Sequence, residues 1–279
     1  MPTAGCREHT MITSDLPDIL ATLRASDTNT TAFSEAWTQG RSAYGGLSAA
    51  LASTAMAKGL EGDLPLRSLM VSFIAPIPAG PVSVEVHPQR RGKNVAQLAA
   101  AVVAEDNLCL QAMGVFGKAR EAIRVAPDDR FEPRPRDQGV PIDKARRLPE
   151  FLQYFEGSWA GGGIPFSGRP DRKLYLWARH RCDMGLFPAE KIVAIADIPP
   201  PVVLSHFSEP PVPASSLTWS LEFLQPPNEI ESDWFYLEFT LEAAAEGYTQ
   251  QSGRIFTEDG VLCALSRQCM VYFGPAATK

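Results

Sequence analysis

Apolar residues recur at every second position through long stretches of this chain, the period of strands with one or both faces buried. The pattern predicts strands over 67–74, 82–89, 95–105 and 108–116 in the first half, and over 217–224, 234–242, 247–257 and 261–273 in the second. Two windows abandon the alternation. Residues 44–58, rich in Ala, Leu and Ser, and residues 188–196 read as helices, preceded by short strands at 33–37 and 174–180. The last strand, G-V-L-C-A-L-S-R-Q-C-M-V-Y-F, is apolar on both faces, so it is expected to be covered on both. Leu262, Ala264, Ser266, Gln268, Met270 and Tyr272 share one face, which sets Ser266 and Gln268 among residues that belong in a core. A buried amide without hydrogen-bond partners costs about 1–3 kcal/mol, so Gln268 requires an explanation.

Residues 125–148 separate the halves; Pro127, Pro133, Pro135 and Pro141 among many charges cannot continue a helix or a central strand. A second loop-like segment, 161–171, carries three consecutive glycines and two prolines. The halves repeat one another. S-L-M-V-S-F-I-A-P, ending at Pro76, is matched by T-W-S-L-E-F-L-Q-P, ending at Pro226, with Phe73 and Phe223 also 150 residues apart. Glu105-Asp106-Asn107-Leu108 resembles Glu258-Asp259-Gly260-Val261 at an offset of 153, the slip falling where hairpin turns tolerate insertion. Each half is a helix followed by an antiparallel meander, which predicts an α+β pseudo-dimer with units at 25–120 and 150–275 joined by a linker at 121–149.

Composition narrows the function. With 45% hydrophobic and 21% charged residues the chain is globular, and a net charge of −6 argues against nucleic acid as a partner. Cys6, Cys109, Cys182, Cys263 and Cys269 are odd in number and lack metal-ligand spacing, which predicts a reducing compartment and a cytoplasmic location. His9, His87, His180 and His206 show no ligand spacing either, so no metal is expected, and there is no Gly-x-Ser-x-Gly elbow. The first residues, broken by Arg7, Glu8, Asp15 and Asp18, do not read as a signal peptide, and no run suits a membrane helix.

Several motifs in order resemble the acyl-CoA thioesterase II family, the TesB-like double hotdog thioesterases. In the first half they are Gly40-Arg41-Ser42-Ala43-Tyr44-Gly45-Gly46 and Arg90-Arg91-Gly92-Lys93-Asn94. In the second they are Leu176-Trp177-Ala178-Arg179, Ala196-Asp197, Ser216-Leu217-Thr218-Trp219-Ser220-Leu221-Glu222-Phe223 and the last strand. The resemblance spans nearly the whole chain, about 33–273. It implies a double hotdog of two fused helix-wrapped antiparallel sheets, an acyl-CoA substrate, no cofactor, and homodimers of double hotdogs. It also implies a site in which Asp197, a hydroxyl residue and Gln268 hold the attacking water. The hydroxyl is Ser216 by ungapped alignment, whereas the only threonine of that strand is Thr218; simple alternation puts both on one face and leaves the choice open.

Hydrolysis of a thioester needs an oriented, partly deprotonated water and donors for the developing oxyanion. In this reading Asp197 is the general base, and backbone N–H groups at the helix start, Gly45 and Gly46, polarise the carbonyl. Arg90, Arg91 and Lys93 are candidates for the phosphates of coenzyme A. The repeat offers a separate argument: at the offsets above, Gln268 corresponds to Val115, Ser216 to Leu66 and Thr218 to Ser68, and the first helix holds no acidic residue. The polar set occurs in one copy, as a single catalytic site per chain requires. Two other readings remain at this point. A hotdog enoyl-CoA hydratase wants an Asp and His pair, with His206 the nearest histidine, and a non-catalytic acyl-CoA or acyl-carrier binding protein needs no base.

Overall fold

The computed structural model describes residues 15–274 except 61, 63, 128–129 and 143–148; Cys6, part of the expected linker and the last residue of the expected second unit lie outside the described residues. In the first half, β1 (Thr30–Phe33), the short pair β2 (Thr38–Gln39) and β3 (Ser42–Ala43), and helix α2 (Gly45–Lys58) precede the meander β4 (Leu66–Phe73), β5 (Gly80–Arg91), β6 (Val95–Ala104) and β7 (Asn107–Gly117). The second half repeats the plan. β8 (Val140–Pro141), β9 (Phe155–Gly162), β10 (Lys173–His180) and helix α3 (Pro188–Ala196) lead into β11 (Ala214–Phe223), β12 (Phe235–Ala245), β13 (Tyr248–Thr257) and β14 (Leu262–Tyr272). An additional helix, α1 (Leu16–Ala25), opens the described chain.

Among the described residues twelve strands form one antiparallel sheet, ordered β1-β5-β6-β7-β4-β11-β14-β13-β12-β10-β9-β8. The sheets of the two halves are joined edge to edge by β4 and β11, from Thr218 opposite Ser72 to Glu222 opposite Ser68. Joining them this way removes two strand edges that would otherwise present unpaired backbone groups. Helices α2 and α3 lie side by side against one face of this sheet. Between them Ser53 Oγ donates to the buried carboxylate of Glu190 at 2.6 Å, and the Tyr44 hydroxyl donates to the carbonyl of Ala194. The inward positions of β6, Ala96, Leu98, Ala100, Val102 and Ala104, are buried beneath α2, as period two predicts. No helix among the described residues is long and apolar enough to cross a membrane.

Part of the proline-rich segment is more than a tether. Phe131 packs against Phe256 and Tyr236, with ring centroids 5.2 and 5.9 Å apart, and the indole of Trp177 donates to the Arg134 carbonyl at 2.8 Å. Arg136 lies 4.1 Å from the Trp234 ring and pairs with Glu258 at 2.8 Å. These residues form a strap over the outer face of β10 and β12, sealing a second small apolar cluster of Trp177, Trp234, Tyr236, Phe256 and Leu262.

β-Bulges disturb the alternation at equivalent places. β11 carries an extra residue, Leu217, opposite the step from Met270 to Cys269, and β4 carries Arg67 opposite the step from Phe116 to Val115. With both bulges in place, Leu69 faces Gly114 as Trp219 faces Gln268. The counterpart of Gln268 is therefore Gly114, and not the Val115 that the 153-residue offset selects.

Candidate active site

The site forms where the end of α3 meets the start of α2. Asp197 is the C-cap residue of α3, and its Oδ1 accepts a hydrogen bond from Gln268 Nε2 at 2.7 Å. The backbone N–H of Gly46, in the first turn of α2, donates to the same carboxylate. Tyr44, the N-cap of α2, makes no side-chain capping bond, so the carboxylate from the other half takes the place of a cap. The positive end of the α2 dipole favours a negative charge there.

Burial raises the pKa of Asp197 to about 7, against the opposing pull of the Gln268 and Gly46 donors. Asp197 nonetheless keeps some solvent access. A carboxyl group poised near neutrality with a path to water has the property a general base needs. Glycine at 45 follows from the close approach: a Cβ there would stand 2.6 Å from Asp197 Oδ2 and 3.2 Å from the Phe73 ring. At Gly46 a Cβ would stand 2.6 Å from the ring of Tyr44.

Gln268 is 2% exposed and directly opposite Gln251, which is fully buried, on β13. Gln251 Nε2 donates to Gln268 Oε1 at 2.8 Å, and Gln251 Oε1 accepts from the N–H of Val202 at 3.0 Å. The misplaced amide of the last strand thus has a partner at both ends. Ser266, its neighbour on the same face, accepts the indole N–H of Trp219 at 2.9 Å, a bond within the core.

The bulge at Leu217 separates the two candidate hydroxyls. Ser216 pairs with Met270 and so shares the inward face of Gln268, whereas Thr218 pairs with Cys269 and is exposed on the outer face. Simple alternation put both on one face; the extra residue turns Thr218 away from Asp197. Gly46 also departs from expectation, because its N–H is engaged by Asp197. Arg90, Arg91 and Lys93 are not brought to this site. They are exposed at the tip of the β5–β6 hairpin, where Arg91 Nη2 donates to the carbonyl of Gly59 just beyond the end of α2. The 14 residues of that helix, about 20 Å, separate its two ends. His206 is exposed in the turn after the proline run and has no bond to Asp197 among those described. A groove of about 650 Å³ lies on the outer sheet face, and neither Asp197 nor Gly45 lines it.

Gln251 is the member of this cluster that the sequence reading did not single out. It lies at an inward position of β13 between Thr249 and Gly253, a polar stretch in which one more amide gives no signal.

Sequence profiles of the acyl-CoA thioesterase family match the chain twice, the N-terminal domain over residues 33–117 and the C-terminal domain over residues 125–272. No curated protein sequence matches it significantly. Among solved structures, a hot dog fold protein of unknown function from Alicyclobacillus acidocaldarius is 21% identical with a TM-score of 0.79, the alignment covering 88% of this chain and 93% of that one. A tesB protein from Mycobacterium avium subspecies paratuberculosis is 18% identical with a TM-score of 0.70, covering 93% and 100%. An acyl-CoA thioesterase II from Mycobacterium marinum is 16% identical with a TM-score of 0.67, covering 88% and 98%. At these identities the structural likeness is one of fold.

Proposed function

Because the chain belongs to the acyl-CoA thioesterase family, we propose that its hydrolysis of acyl-CoA to coenzyme A and a carboxylic acid is driven by a water molecule activated at Asp197. The supporting observation is the convergence on one half-buried carboxylate of Gln268 Nε2 from the second half and the Gly46 N–H from the first. Water bound at Asp197 gives a proton to the carboxylate as its oxygen adds to the thioester carbonyl. The tetrahedral oxyanion is met by first-turn N–H groups of α2, Gly45 foremost because Gly46 already serves Asp197. The intermediate collapses by breaking the C–S bond, and the thiolate recovers the proton. Ser216 is the hydroxyl on the correct face to hold the water.

The hydratase reading loses its histidine, since Asp197 is bonded to an amide and a backbone N–H. The binding-protein reading predicts no turnover. The test is thiol release from a panel running from butanoyl- to palmitoyl-CoA. Asp197→Asn is expected to lower kcat/KM by about 10²–10⁴, the usual worth of a general base. Unchanged turnover in that variant would exclude Asp197 as the base.

The protein is further proposed to serve lipid metabolism in the cytoplasm, a location supported by the four unpaired thiols Cys109, Cys182, Cys263 and Cys269. A homodimer is proposed from the outer face of the first half. On β4, β6 and β7 its outward residues Met70, Ser72, Ala99, Ala101, Gln111 and Met113 carry no charge, and Glu85 and His87 of β5 stand beside them. In the second half the chain's own strap covers the outer face at β10 and β12. Depletion of charge is the compositional mark of an interface core.

A further inference from the structure

The direction of the hydrogen bonds around Asp197 follows from one group that has no freedom. Pro199, Pro200 and Pro201 have no N–H, so after Ile198 the next backbone donor is Val202. That N–H can only donate, and it meets Gln251 at 3.0 Å. The oxygen of Gln251 must therefore face Val202, which turns its NH₂ towards Gln268, 2.8 Å away. Gln268 must in turn accept with its oxygen, which leaves its own NH₂ for Asp197 at 2.7 Å. A side-chain amide can lie either way round; here both orientations are dictated by a backbone donor two residues removed in the chain of bonds.

We infer that Gln251 is a positioning residue for hydrolysis, holding Gln268 as a donor to Asp197 and taking its own orientation from the Val202 N–H. The inference rests on the reading of Asp197 as the base.

The duplicated half supplies a second, independent observation. By the strand registers, Gly114 stands where Gln268 does, and Leu98, directly opposite Gly114, stands where Gln251 does. Met56 from α2 fills the space, its Cε 3.0 Å from where a Cβ of residue 114 would be. The fold is thus built once with a Leu-Gly-Met cluster and once with two buried amides. Neither amide is required by the sheet, and both are present in the half that carries the carboxylate.

Flipping Gln268 would aim its carbonyl oxygen at the carboxylate and favour the protonated acid. Other groups do not obscure this. α2 brings Gly45 and Gly46, β4 brings Phe73, and β11 and β14 bring Trp219, Ser266 and Met270, none of them charged. Tyr44 is titratable, but burial and then the charge of Asp197 push its phenol well above the ordinary value, so it stays neutral.

The test compares wild type, Gln251→Met, Gln268→Met and the double variant, following kcat/KM against pH and the Asp197 carboxyl titration by carbon-13 NMR. Gln251→Met is expected to lower kcat/KM by about tenfold and to move both the acid limb and the Asp197 titration upward by about one pH unit. Gln268→Met is expected to lose about a hundredfold, and the double variant no more than that, because Gln251 acts through Gln268. Losses that multiply, or an Asp197 titration unmoved in Gln251→Met, would overturn the inference. Val202→Pro provides a second route should Gln251→Met fail to fold: Pro201 already has φ −52° and ψ 118°, compatible with a following proline, and Val202 is the first residue of its turn. It removes the N–H while leaving an apolar ring in the buried place of the valine side chain, and is expected to shift the titration in the same direction; no shift would count against the inference. Asp197→Asn keeps the two readings apart. Turnover surviving in that variant defeats the base, while an inactive Asp197→Asn beside a wild-type-like Gln251→Met defeats only the positioning role.

Discussion

Asp197 concentrates the chemistry of the site, and its acidity gives it a thermodynamic signature. The group titrates at about 7 in the folded protein because of burial, against 3.8 for an unperturbed aspartate. Below the lower value both states are protonated; between the two, the folded state retains a proton that the unfolded state releases, so stability falls as pH rises. Above about 7 the folded protein carries the full cost of a half-buried charge. Asp197→Asn is therefore expected to melt at the same temperature as wild type or higher at pH 8, with the difference shrinking towards pH 5, while turnover is lost. Thermal unfolding at the two pH values checks this; a variant less stable at pH 8 than at pH 5, relative to wild type, would contradict it. At this scale Gln268 was legible in the sequence because an amide in a doubly apolar strand is anomalous. Ser266 was equally anomalous and turns out to serve the Trp219 indole. What could not be read was the direction of each bond, which depends on Val202 and on the register of β13 against β14.

The helices show where sequence pattern suffices. α3 has the expected limits, and α2 begins one residue later than expected, since both windows break the period-two pattern over their whole length. α1 was missed although Leu16, Ile19, Leu20 and Leu23 form a buried helical stripe behind Asp15 and Pro17, a signal present but not used. β9 was missed for a different reason: F-E-G-S-W-A-G-G has little strand propensity, and its pairing with β10 and β8 makes it a strand. The bulge at Leu217 has no residue-type signature at all, yet it decides which hydroxyl can act. Ser216→Ala is accordingly expected to reduce kcat/KM by about tenfold or more, and Thr218→Ala to leave it within about twofold. Steady-state kinetics on the two variants, with thiol release as readout, distinguishes the strand with its bulge from a strand without one.

At the scale of the molecule, duplication was legible from the matched Phe and Pro positions, and the single polar set from comparing the halves. The fusion of the two sheets through β4 and β11 was not, because nothing in either strand marks which edge it will join. Nor was the strap, whose prolines and charges read as a tether while Phe131 and Arg136 bind aromatic partners distant in sequence. The uncharged outward positions of β4, β6 and β7 yield a test of assembly. Met70→Lys places a charge among them and is expected to convert the proposed homodimer to single chains in sedimentation velocity, with turnover per chain retained; an unaltered sedimentation coefficient would place the contact elsewhere.

Gly46 and Asp197 lie in different halves, so the proposed catalytic centre comes into being only when the two copies are docked. Within one polypeptide each half sees the other at a local concentration on the order of millimolar, whatever the dilution in the cell. Expressed as two separate fragments, the same residues would form an enzyme whose specific activity falls on dilution. A single chain thus carries both parts of the proposed site at any dilution, while its first half is built with Leu98, Gly114 and Met56 where the second has its two amides.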